Sequence, residues 1–84
     1  MRITLKLYAT LTDYLPPAAR RTNTMDLDVA EGATIEAILA PLNLPPKLVH
    51  LVLVNGVFIP PAARATHAFR EGDALAIWPP VAGG

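Results

Sequence analysis

The sequence has no cysteine and no net charge: 7 basic and 7 acidic side chains cancel over 84 residues. Without cysteine, neither a disulfide nor a thiolate metal site can hold the chain together. The absence also fits a reducing compartment. Balanced charge removes the general electrostatic case for nucleic acid, an anionic membrane or an acidic polymer. The basic residues are scattered, and only Arg20 and Arg21 are adjacent, which reads as a solvated turn. No long hydrophobic run is present either. The most apolar segment, Leu51 to Ala63, is too short to span a bilayer and is interrupted by Asn55, Gly56, Pro60 and Pro61. Arg2 and Lys6 break the first apolar stretch, so no secretory signal is visible. A cytoplasmic protein without membrane or nucleic-acid partners is expected.

Groups for catalysis are equally scarce. His50 and His67 have no cysteine partner and no carboxylate at ligand spacing, so structural or surface roles are expected and no metal site. Asp26 and Asp28 share a strand face, where solvent is the simpler explanation than paired acids. Gly56 and Gly72 belong to turns and form no phosphate-binding loop. What the chain does have is apolar content, 52% of its residues. Folding takes on the order of 1–2 kcal/mol of backbone entropy per residue, and burial must offset it. The length allows one small core.

Residues 2–9 alternate, with Ile3, Leu5, Leu7 and Ala9 expected inward and Arg2, Thr4, Lys6 and Tyr8 outward, as in a half-buried strand. A short segment around Leu11–Leu15 follows, stopped by Pro16-Pro17, with Ala18 to Asn23 as a surface turn. Thr24 to Val29 alternates again and pairs with the first strand as a hairpin. Thr34 is a suitable N-cap, and Ile35, Ile38, Leu39 and Leu42 form a helical stripe that Pro41 should end near Ala40. Leu48 to Val54 is an almost unbroken apolar run, predicting a strand covered on both faces. Asn55-Gly56 turns it into Val57-Phe58-Ile59, while Ala62 to Phe69 fits either a loop or a helical turn. Glu71-Gly72-Asp73 is a tight turn into a last strand, Ala74 to Trp78. One helix laid on a mixed four- or five-stranded sheet satisfies every apolar face, which predicts an α+β roll of the ubiquitin-like, or β-grasp, type over residues 1–78.

Residues 79–84 are expected to form a flexible, extended tail, Pro79-Pro80-Val81-Ala82-Gly83-Gly84. The prolines stiffen its exit from the sheet. The glycines lack a Cβ, so a foreign active site can close around the backbone. Six residues reach roughly 20 Å at most.

The stretches Ile3-Thr4-Leu5-Lys6-Leu7-Tyr8-Ala9, Val54-Asn55-Gly56, Glu71-Gly72-Asp73 and above all the closing Pro79 to Gly84 resemble the MoaD/ThiS family of ubiquitin-like sulfur carriers. ThiS proteins are as a rule shorter between the first strand and the helix. The Leu11–Asn23 segment therefore resembles the small subunit of molybdopterin synthase more closely. The resemblance implies that the Gly84 carboxylate is the reactive group. A partner of the ubiquitin-activating type (MoeB/ThiF-like) adenylates it with ATP, a sulfur donor displaces AMP, and the thiocarboxylate gives its sulfur to a cofactor precursor. The carrier would bind no cofactor itself. Val81, Ala82 and Gly83, with Pro79 and Pro80, would thread the partner. The second partner would be the large subunit of molybdopterin synthase (MoaE-like) or a thiazole synthase. A β-grasp neighbouring of first and last strands would place Tyr8 beside Ala74, Ala76 and Trp78, making an apolar partner-binding patch at the root of the tail. A ThiS-like carrier, a ubiquitin-like modifier joined to lysines through Gly84, and an interaction domain with a silent tail remain alternatives.

Overall fold

The computed structural model describes residues 1–80. Five strands form one mixed sheet, β1 (Arg2–Leu7), β2 (Thr24–Asp28), β3 (Leu51–Val54), β4 (Val57–Phe58) and β5 (Ala74–Trp78), in the order β2-β1-β5-β3-β4. Two short helices, α1 (Pro17–Arg20) and α2 (Ile35–Leu39), complete the α+β roll of β-grasp type. The core is built by alternation. Ile3, Leu5 and Leu7 of β1 and Leu75 and Ile77 of β5 are essentially inaccessible, as is Val52 of β3. Ile35, Ile38 and Leu39 of α2 close over them.

The middle of the sheet joins the two ends of the chain. β1 and β5 run parallel, with Thr4 opposite Ala74 and Leu7 opposite Ile77. β2 pairs antiparallel with β1 on one side, and β3 pairs antiparallel with β5 on the other. On the β1–β2 surface the Arg2 guanidinium lies 3.8 Å from Asp26 and 3.7 Å from Asp28. All three side chains are mostly exposed, so these ion pairs contribute little.

α2 follows its sequence signals closely. The Thr34 hydroxyl accepts a 3.1 Å hydrogen bond from the Ala37 backbone N–H, capping the first turn. The helix ends at Leu39, a 3₁₀ turn over Ala40–Leu42 carries Pro41, and Asn43 reverses the chain at φ +58°. Leu42, the last member of the apolar stripe, is only partly buried because the 3₁₀ turn rotates it off the helical line.

Three segments differ from the sequence expectation. β1 stops at Leu7, and Ala9 is not an inward strand residue but an exposed one at φ +53°, where a side chain costs about 1–2 kcal/mol. It opens a 3₁₀ stretch, Ala9–Tyr14, that carries Leu11 into the core. Pro16-Pro17 does not simply stop this segment. Pro17 starts α1, a position where the missing N–H costs nothing, and the 18–23 region is therefore half helical. The Arg20 guanidinium holds the block together through the Leu15 and Asp13 carbonyls at 3.0 and 3.2 Å. Finally, the Leu48–Val54 run is not one fully covered strand. Pro46–Leu48 makes a 3₁₀ turn, β3 begins at Leu51, and only Val52 and Val54 are buried.

Two sequence motifs prove to be halves of one clamp. Asn55 and Gly56 adopt φ +51° and +82°, the pair of left-handed residues that a tight hairpin requires. The Asn55 amide donates to Asp73 Oδ1 at 2.9 Å, and its carbonyl oxygen accepts from the Ala74 N–H at 2.8 Å. Asp73 Oδ2 accepts from the Arg70 N–H at 2.9 Å. That backbone bond, followed by the Asn55 amide, holds the Asp73 carboxyl below its ordinary value of 3.8. A carboxylate favoured in the fold contributes stability above its unfolded value and loses it as pH falls through the lowered one. Asp73→Asn is therefore expected to be less stable than wild type at neutral pH, with the gap narrowing near pH 3. Denaturant midpoints at both pH values check this, and a gap of constant size would exclude it.

Candidate functional site

β5 divides its side chains between two environments. Leu75 and Ile77 enter the core with the α2 side chains, while Ala74, Ala76 and Trp78 face the opposite side of the sheet. Their neighbours on that side follow from register. Lys6 of β1 and Leu53 of β3 flank Ala76, Leu51 flanks Trp78, and Phe58 of β4 lies beyond Leu53. Ala76 is only 9% exposed, so it forms the floor of this surface. Leu51 and Leu53 are half-buried, and Phe58 is 51% exposed. The surface is thus apolar across β5, β3 and β4, and polar across β1 and β2 where Arg2, Lys6, Asp26 and Asp28 lie.

Tyr8 and Trp78 meet as expected. Their rings stack with centroids 4.1 Å apart and planes 3° from parallel. The Tyr8 N–H donates to the Ile77 carbonyl at 3.1 Å, so the parallel ladder continues just past the end of β1. On the other side the His50 N–H donates to the Trp78 carbonyl, also at 3.1 Å. Trp78 is therefore fixed by a ring on one side and by a backbone bond on the other. Pro79 and Pro80 leave from this point. Val81, Ala82, Gly83 and Gly84 lie outside the described residues.

Leu51, Leu53 and Phe58 belong to this surface although the sequence did not single them out. The signal was present as alternation within Leu51–Val54. It was hidden because all four residues are apolar and read as covered on both sides.

Among the described residues, no three His, Cys, Asp or Glu side chains come together as a metal site requires. His67 packs edge-on against Phe69 at 4.8 Å, with its Nε2 buried and without a hydrogen-bond partner. His50 is exposed. Among the described residues, no helix is long and apolar enough to cross a membrane. A hollow of about 630 Å³ lies between α2 and the Pro61–Ala65 segment on the other side of the molecule. At its rim the Arg64 guanidinium is engaged by three carbonyls: Ile59 at 3.2 Å, Val49 at 3.3 Å and His50 at 2.8 Å.

Residues 14–84 match the family model described as the ThiS family. Among solved structures, SAMP1 from Haloferax volcanii is similar, with 27% identity over 100% of both chains and a TM-score of 0.68. No curated protein matches.

Proposed function

The chain belongs to the ThiS family, with the fold of the ubiquitin-like MoaD/ThiS sulfur carriers, and we propose on that basis that its chemistry resides in the Gly84 carboxylate. Carriers of this type generally work with adenylating enzymes of the ubiquitin-activating kind. The observation that carries the proposal is the match to residues 14–84, which runs through Gly83-Gly84 and includes the apolar face around Trp78.

A carboxylate is ionised at neutral pH and resists nucleophilic attack. The adenylating partner exchanges one Gly84 oxygen's poor leaving ability for that of AMP, releasing pyrophosphate from ATP. A sulfide equivalent then attacks the acyl carbon and expels AMP, leaving a thiocarboxylate. In a second partner that group delivers sulfur, and hydrolysis restores the carboxylate. Pro79, Pro80, Val81, Ala82 and Gly83 thread the partner's channel, where the prolines have little freedom to lose and Gly83, lacking a Cβ, fits a narrow passage. Tyr8, Trp78 and the Ala76 floor, with Leu51, Leu53 and Phe58 beside them, form the docking surface.

The pathway we favour is molybdopterin synthesis, with this chain as the small subunit of molybdopterin synthase beside a MoaE-like large subunit. The block over Ala9–Tyr14 and Pro17–Arg20 supports it, since ThiS proteins as a rule are shorter there and here Leu11 and Leu15 are core residues. Mass spectrometry of the protein from its own cells is the test. One oxygen exchanged for sulfur at Gly84 is expected. Gly-Gly remnants on lysines of other proteins, without that exchange, would replace the carrier by a modifier. Capture of a thiazole synthase in place of a MoaE-like subunit would move the carrier to thiamine.

A further inference from the structure

Arg64 takes no part in the apolar face, yet it is connected to the point where the tail begins. Its guanidinium spans the carbonyls of Ile59, Val49 and His50. The N–H of the same His50 holds the Trp78 carbonyl at 3.1 Å. That carbonyl belongs to the peptide joining Trp78 to Pro79. Pro79 has no N–H and a fixed φ, and it restricts Trp78 to extended conformations. Once the Trp78–Pro79 peptide plane is set, the direction of the stiff Pro79-Pro80 step is largely set with it.

We propose that Arg64 is a positioning residue: through the His50 backbone it fixes the Trp78–Pro79 peptide and so aims the tail at the partner's active site. This rests on the carrier function proposed above. A three-carbonyl fork of this kind needs guanidinium geometry, which a lysine ammonium cannot reproduce. His50 contributes its backbone only, since its side chain is exposed.

The test uses ATP–pyrophosphate exchange by the adenylating enzyme from the same cells, with the full-length carrier as substrate. Because the docking face is untouched, Arg64→Met is expected to lower kcat about tenfold at unchanged KM, as misdirection of a reacting group does. Arg64→Lys is expected to fall between the two. His50→Ala keeps the N–H and should match wild type, whereas His50→Pro removes it and should behave as Arg64→Met. A purely structural role would reduce the folded fraction, raising apparent KM at unchanged kcat; that result, or a full loss in His50→Ala, overturns the proposal. Residual dipolar couplings of the Val81 and Ala82 amides, referred to β5, give a readout free of any enzyme. They should change in Arg64→Met, and identical couplings overturn the aiming role. If wild type is not adenylated at all, the carrier function fails, and the couplings alone decide the role of Arg64.

Discussion

Deleting Gly84 is expected to leave a folded body that its adenylating enzyme no longer charges. The body does not depend on this residue, because its sheet closes at Trp78 and its core is drawn from residues 3–77. Melting temperature should therefore be unchanged. The truncated chain still ends in a carboxylate, now on Gly83, but its reach is shorter by about 3.5 Å. Misplacement of a reacting group by even about 1 Å can cost roughly a hundredfold in rate. Adenylation should fall by at least about a hundredfold, while binding through the sheet face persists. Pyrophosphate exchange measured beside a binding titration separates the two effects. Normal sulfur loading of the truncated chain would overturn the assignment of the chemistry to the Gly84 carboxylate.

The second large effect belongs to Trp78→Ala. Two contributions must be weighed. Loss of the Tyr8 stack costs about 1 kcal/mol of folding stability beyond buried area, a shift of roughly 4–8 °C in Tm for a domain this small. Loss of a tryptophan at the centre of a docking surface typically costs about 2 kcal/mol or more, roughly thirtyfold in affinity. Binding should therefore suffer more than stability. Phe58→Ala provides the companion case, since the 51% exposed ring adds little to the core. It should weaken partner binding with almost no change in Tm. A Tm shift in Trp78→Ala with unchanged affinity for the partner would assign the ring to the fold alone.

Much of the fold was legible because several segments carry one local signal with one geometric solution. The alternation Ile3, Leu5, Leu7 admits only a half-buried strand, and Thr34 before an i, i+3, i+4 stripe admits only a helix start. Asn55-Gly56 and Glu71-Gly72-Asp73 announced turns correctly, but not that each completes the other. A hydrogen bond between residues 18 apart, such as Asn55 to Asp73, has no local signature. Leu48–Val54 misled because a uniformly apolar run erases the alternation that tells one face from the other. Among the described residues, the second face of this strand, with Leu51 and Leu53, is only half-buried. Pro17 misled because proline both ends helices and begins them, and only the burial of Leu11 and Leu15 decides which. The Tyr8–Trp78 contact was legible through topology, once first and last strands were taken as neighbours. Arg64 was not, because a guanidinium that serves three carbonyls looks in sequence like any other surface charge.

The parallel pairing of β1 with β5 has a kinetic consequence. Thr4 must find Ala74 across nearly the whole chain, so the central ladder is the most non-local contact in the molecule. Loop closure over that distance is slow, and β-dominated topologies of this kind fold in milliseconds to seconds rather than microseconds. During synthesis the first hairpin cannot settle into a finished core, because its central neighbour is the last strand to emerge. The core can therefore close only once Ala74–Trp78 has been made. On the carrier function proposed above, an activating enzyme that docks on the assembled sheet face would engage only chains whose first and last strands have paired, so the order of the strands would screen out misfolded bodies.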